Sequence, residues 1–525
     1  MRPEDRERAQ LEAAGRVVDR HLRAAGAAPH RYLEDLLGDT LYEERRRLDR
    51  ADPRDPRTRA DLAYYHRLQR ELRHASGADL ARLVADVARR FAQEIVGSFD
   101  ERVYRITTTA VPAGLSLLLG AMRPRLTSLD ELRRGVASHL ELRGAAEHVR
   151  RLEGHGTLVV VPTHSSHLDS IVLGYAVHLL GMPPLLYGAG LNLFDNPLVS
   201  FFMNHLGAYR IDRKKGATLY KDVLKEYASY SLELGYHNLF FPGGTRSRSG
   251  AVERHLKKGL LGTTIPAYLA GLARKQAKPN IYYAPCTISY KLVLEAETLI
   301  DDYLKETGRS QYVIDDDEFS RPRRILNFMA GLVSMDSRIV VTFSPPLDLF
   351  GNPVDEAGRS LDPRGRVIDP SSYVTRHGAP VHDEQRDRQY TEEAAQAIGA
   401  AFQRDTVVLS THVVAHAMFR LLERHNPELD RYRLLRTGGA TPSFPVAELA
   451  HEVEWVLAAL ERRADGPRKD AELGRDAAAI IDDATRHFGT YHRQAALVRR
   501  GERVFHQDRP LLLYYGNRVG SHALA

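Results

Sequence analysis

His164 follows an apolar run and precedes Asp169 in VVVPTHSSHLDSIVLGYAV, residues 159–177. A histidine so placed is a candidate general base. The aspartate can reach back to one ring nitrogen and fix the tautomer, leaving the other nitrogen to take a proton from a hydroxyl. The same pair could instead be a helix N-terminus, an acidic first turn behind a capping histidine. Spacing alone does not decide, because His-x4-Asp recurs at His30/Asp35, His74/Asp79, His382/Asp387 and His425/Asp430. Context separates them: His164 alone directly follows a strand-like run and opens a helical one. His167 lacks an aspartate at the same offset.

Three further stretches carry residue types suited to an anionic substrate. GAYRIDRKKG, residues 207–216, sends Arg210, Arg213, Lys214 and Lys215 from a short strand into a loop. Guanidinium groups there could grip a phosphate in bidentate fashion, although a solvated charge run has the same composition. FFPGGTRSRSG, residues 240–250, runs from an apolar strand into Gly243 and Gly244, then through Thr245, Arg246, Ser247 and Arg248. Glycines let backbone amides approach an anion, and alternating arginines can clamp it. In APCTISYKLVLEAE, residues 284–297, Pro285 interrupts an apolar strand, which implies an edge or a bulge. The apolar flanks of Cys286 read as those of a buried, inert thiol.

The elements that must position these residues follow from texture. Residues 1–145 alternate charged and apolar positions at helical spacing, as in ADLARLVADVARRFAQEIVGSF at 78–99. Residues 146–350 alternate short β-branched runs with helical stretches. This predicts an α/β domain with a mainly parallel central sheet flanked by helices, its chemistry at the carboxyl ends of the strands. Residues 351–388 are rich in Gly, Pro and Asp and read as a loop or insertion, and 389–525 return to a helical pattern.

Composition bounds the rest. At 525 residues the chain needs two or three cores, and 27% charged with 43% hydrophobic residues excludes a largely disordered protein. The net charge of +6 suits anionic partners. A single cysteine excludes an intrachain disulfide and a cysteine-based zinc site, and fits a reducing compartment. The charged N-terminus has no signal-peptide core. ITTTAVPAGLSLLLGAM, residues 106–122, is broken by Pro112 and Gly114 and falls short of a membrane span, so it reads as a buried or membrane-surface helix. No nucleic-acid motif or aromatic-basic stacking stretch is present.

Taken in order, these stretches resemble the four sequence blocks of the glycerolipid acyltransferases, the glycerol-3-phosphate and dihydroxyacetone-phosphate O-acyltransferases above all. The first block, His-x4-Asp, falls on His164 and Asp169. The second resembles GAYRIDR, matching Gly207 and Arg213. The third falls on FPGGTRSRSG, matching Phe241, Gly244, Arg246, Ser247, Arg248 and Gly250, and the fourth matches Pro285, Ile288, Tyr290 and Glu295. The resemblance covers roughly residues 150–350. Two positions depart from it: Asp212 stands where the second block carries an arginine, and Gly243 where the third carries a glutamate.

The resemblance implies transfer of a fatty acyl group to the sn-1 hydroxyl of glycerol 3-phosphate, with an acyl-CoA or acyl carrier protein thioester as co-substrate and no cofactor or metal. His164 would be the base and Asp169 its orienter. Arg213, Arg246 and Arg248 would hold the phosphate, amides near Gly243 and Gly244 would meet the oxyanion, and Lys257 would contact phosphate or coenzyme A. Lysophosphatidate (1-acylglycerol 3-phosphate) or dihydroxyacetone phosphate is the alternative acceptor, and a catalytically silent lipid-binding relative the alternative class. The setting expected is an anionic membrane surface, on its cytoplasmic face, with peripheral or monotopic attachment.

Overall fold

The computed structural model describes residues 1–26, 28–105, 140–191, 205–307, 338–463 and 466–522. The apolar segment 106–122 lies outside them. Four helices come first: Pro3–Ala25, Pro29–Leu48, Pro56–Leu72 and Gly77–Ile95. Three open on a proline, which loses nothing at a first helical position because that N–H has no partner within the helix. The fourth opens on a capping box in which Asp79 accepts the Ser76 N–H at 3.1 Å. Its buried face, Leu80, Leu83, Val84, Val87, Phe91 and Ile95, follows helical spacing. That face joins a core that also takes in Tyr209, Tyr220, Val223 and Tyr227, so these helices pack against the edge of the following α/β layer.

The central sheet contains β1 (Leu140–Gly144), β2 (Thr157–Pro162), β3 (Leu186–Gly190), β4 (Ala208–Ile211), β5 (Asn238–Leu239), β6 (Ile281–Tyr290), β7 (Ile339–Phe343) and β8 (Leu347–Asp348). Their order is β1-β7-β6-β2-β5-β3-β4, with β8 beside β6. The pairs from β6 through β2, β5 and β3 to β4 are parallel, whereas β7 and β8 run antiparallel to β6. The sheet is thus mainly parallel, as its alternating texture predicts. All of β2 is buried. Leu158 and Val160 enter one hydrophobic core and Val159 and Val161 another, which is the two-residue alternation of a strand covered on both faces.

Helices Ser410–His425, Val446–Glu461, Ala477–Phe488 and Arg509–Gly520 share the core that contains Leu158 and Val160. Between them the structure adds strands the sequence pattern does not announce, an antiparallel trio of Ser443–Pro445, Arg503–His506 and Leu497–Arg500. The Gly/Pro-rich stretch holds two short hairpins, and the helix after it begins at Glu384.

Pro285 lies in an interior strand, not at an edge, at a register position opposite Val161. Beside it the antiparallel register slips by one residue, two positions of β6 (284 and 285) facing three (344–346), as at a bulge. Tyr282 and Tyr283 pair with β8, and pairing with β7 begins at Cys286, so the missing N–H falls in the gap between two neighbours.

Candidate active site

β2 ends at Pro162, and the next residues are fastened to β6. Thr163 donates its N–H to the Cys286 carbonyl at 2.9 Å and accepts the Ile288 N–H on its hydroxyl at 3.2 Å. His164 follows, and the helix Asp169–Leu179 begins one turn later. Asp169 is fully buried. Its Oδ2 accepts the backbone N–H groups of Ser165 (2.7 Å) and Ser166 (2.9 Å) and bonds His164 Nδ1 at 2.9 Å, while Oδ1 accepts the Tyr290 hydroxyl at 2.6 Å. The carboxylate therefore caps the loop and orients the imidazole at once. With Nδ1 as donor to Asp169, Nε2 carries the lone pair.

His164 stacks on Phe241 with ring centroids 4.0 Å apart and lines a cavity of about 200 Å³. Burial lowers its pKa below the ordinary imidazole value of 6.5. The Asp169 contact works against this, and the charges of Arg246 and Arg213 add to the lowering. The imidazole is therefore neutral at physiological pH and able to take a proton.

Arg213, Thr245, Arg246 and Arg248 line the same cavity. Desolvation and the nearby Arg246 charge both lower the Arg213 pKa, so two guanidinium groups repel one another across the space. Among the described residues Arg213 makes no ion pair with a carboxylate. Arg246 lies 3.5 Å from Glu295, and Arg248 contacts Glu306 near the rim. Glu295 is fully buried and also accepts the His167 N–H and the Ser166 hydroxyl, so the fourth block braces the first through Tyr290 and Glu295.

Other candidates from the sequence stand beside the cavity rather than on its wall. Gly207, at φ +90°, donates its N–H to the Ser98 carbonyl and immediately precedes β4. Arg210 is half-buried near Arg57 of the third helix, which lowers its pKa after desolvation, and the cavity wall does not include it. Lys215 does not line the cavity. It is buried against the N-terminal helices, 2.7 Å from Glu94 and 3.6 Å from Glu44. The Gly244 N–H donates to the Phe241 carbonyl at 3.1 Å, which closes a turn at φ +74° and engages that amide as a turn donor rather than an oxyanion donor. The Ser247 N–H donates to the His164 carbonyl, and Lys257 donates its N–H to Pro242 while its side chain packs over Gly244. Pro285 sits inside the sheet, away from the cavity wall. Burial pushes the Cys286 thiol pKa up, which leaves it inert.

Two residues have no signal in the sequence. Glu253 accepts the His164 N–H at 3.0 Å across 89 positions. Arg518, from the last helix and buried, donates to the Ile288 carbonyl at 2.7 Å and reaches the Ser165 hydroxyl at 3.4 Å.

Residues 143–289 match the protein-family model described as Acyltransferase. Curated relatives named glycerol-3-phosphate acyltransferase align with part of the chain. That of Aeromonas hydrophila is 38% identical over 156 residues, 29% of this chain and 18% of the relative. That of Pseudomonas paraeruginosa is 27% identical over 265 residues, 50% of this chain and 28% of the relative. That of Xylella fastidiosa is 30% identical over 199 residues, 37% of this chain and 21% of the relative. The chain thus spans less than a third of the length of the curated relatives it matches.

Proposed function

We propose that the acyltransferase domain at residues 143–289 moves a fatty acyl group from a thioester to the sn-1 hydroxyl of glycerol 3-phosphate. The observation that carries this reading is one cavity holding a neutral imidazole nitrogen beside two mutually repelling guanidinium groups. A phosphate between Arg213 and Arg246 relieves their repulsion and holds the glycerol hydroxyl near His164 Nε2. Nε2 takes the hydroxyl proton as the oxygen attacks the thioester carbonyl, and Asp169 stabilises the imidazolium that forms. Collapse of the tetrahedral intermediate breaks the C–S bond, and the same proton passes to the departing thiolate. The thioester, on coenzyme A or an acyl carrier protein, is the co-substrate, and the mechanism calls on no cofactor.

A cavity of about 200 Å³ has room for a three-carbon phosphate. Among the described residues no helix is long and apolar enough to cross a membrane. The net charge of +6 supports peripheral action at an anionic membrane surface, with the cytoplasmic face as its setting.

The test is thiol release from palmitoyl-coenzyme A in the presence of liposomes. Glycerol 3-phosphate, dihydroxyacetone phosphate and 1-acylglycerol 3-phosphate are offered separately. Release should depend on glycerol 3-phosphate and fall about 10²–10⁴-fold in His164→Ala. Release that ignores the acceptor or survives the substitution sinks the reading.

A further inference from the structure

Gly243 has no conformational reason to be a glycine. Its φ lies outside the left-handed region that requires one, unlike that of Gly244. What the position offers is space that the Glu253 carboxyl uses: a Cβ at 243 would lie 2.7 Å from its Oε1, so a side chain there would displace that carboxyl. That carboxyl arrives after the loop turns back at Gly250, whose own φ is +78° and whose Cβ would collide with the Tyr514 carbonyl. The Glu253 residue is half-buried, with its carboxyl aimed inward at the His164 N–H.

The His164 peptide is consequently held at both ends by one loop. Ser247 donates its N–H to the His164 carbonyl at 2.7 Å, and Glu253 accepts the His164 N–H at 3.0 Å. The first contact is backbone to backbone and survives most substitutions. The second depends on a single side chain. Desolvation raises the Glu253 pKa to about 8 against the pull of the His164 N–H bond and the Arg518 charge, and the Asp169 charge adds to the rise. Near neutral pH the carboxyl therefore mostly keeps its proton, and it still offers an acceptor oxygen. Glu253 does not line the cavity, so any effect on the reaction passes through the His164 backbone.

We propose that Glu253 is the positioning residue for His164, its carboxyl occupying the space left by the absent side chain at 243 and setting how the imidazole faces the cavity. The proposal rests on the reading of His164 as the base of acyl transfer. It also accounts for the one position of the third block that breaks the pattern, since a carboxyl reaches that place from ten positions further along the chain.

The test compares Glu253→Ala, Glu253→Gln and the double variant Gly243→Glu/Glu253→Ala, each checked for folding by circular dichroism. Glu253→Ala should lower kcat about 10–100-fold with the glycerol 3-phosphate KM within about twofold, the cost of a displaced catalytic group. Glu253→Gln keeps an acceptor oxygen and should retain most of the activity, and the double variant should recover part of it. A folded Glu253→Ala with wild-type kcat, or a loss confined to KM, overturns the proposal. A second readout needs no turnover. In protein labelled with [15N]histidine, the His164 amide resonance, assigned by its loss in His164→Gln, should titrate with a midpoint near 8. It should stop doing so in Glu253→Gln. An amide unaffected by Glu253 overturns the proposal whatever the activity. Absent transfer by wild type with this titration intact would refute the reaction instead.

Discussion

The protonation state of His164 is where the chemistry is decided. An imidazole whose folded pKa lies below 6.5 stays neutral above that pH, and the unfolded chain takes up the proton first as pH falls. Its share of stability is therefore intact above 6.5 and is lost as pH drops through 6.5 toward the folded value. The acid limb of kcat/KM should likewise lie below 6.5. Because the charges of Arg246 and Arg213 both lower that pKa, Arg213→Ala should move the limb to higher pH as well as raise the acceptor KM. A pH–rate series on both proteins checks this, and an unmoved limb would separate Arg213 from the base. His382 shows why environment matters more than spacing. It makes the same Nδ1 bond to Asp387, at 2.7 Å, but its side chain is 65% exposed against 10% for His164. Arg386 occupies the other oxygen of Asp387, where Tyr290 meets Asp169.

At the scale of elements, the loop after β4 does its positioning from an anchor away from the cavity. The loop after β4 presents Arg213 because Lys215, two residues on, is buried against Glu94 and Glu44 of the N-terminal helices. The next residues are held the same way, with the Thr218 N–H on Asp39 at 3.0 Å. Lys215→Met removes the buried cation and leaves Glu44 with Arg47 alone. Destabilisation of about 3–5 kcal/mol in urea unfolding is expected, the range for breaking a buried pair. The acceptor KM should rise in the same variant, because the tether of Arg213 is cut. Unchanged stability and KM would mean that the N-terminal helices do not hold this loop.

Across the whole molecule, the last helix completes what the first block begins. Leu511, Leu512, Tyr515 and Val519 share a core with Leu158 and Val160 of β2, and Arg518 of the same helix bonds the loop beside His164. Arg518→Ala leaves the Ile288 carbonyl without this donor and removes a cation that opposes the raised pKa of Glu253. A loss of about 1.5–3 kcal/mol is expected, the scale of a hydrogen bond to a charged group, together with lower kcat. Arg518→Lys should not restore it, since a single ammonium does not reproduce the guanidinium fork. Thermal unfolding and kinetics of the two variants check this, and full recovery with lysine would reduce Arg518 to a charge.

What was legible in the sequence was whatever neighbouring residues settle among themselves. A run of apolar β-branched residues made β2 a buried strand, helical spacing made the Gly77–Ile95 helix, and five positions let Asp169 reach His164. Backbone geometry over one turn fixes such contacts before anything else packs. Tertiary structure alone decided that Lys215 turns to Glu94 and away from the cavity, that Arg210 sits off the cavity wall, and that the Gly244 amide closes a turn. It also put Pro285 inside the sheet at a change of neighbours. Glu253 and Arg518 come to the His164 loop from 89 and 353 positions away. No local pattern encodes such meetings, because they depend on which faces the packed cores leave adjacent.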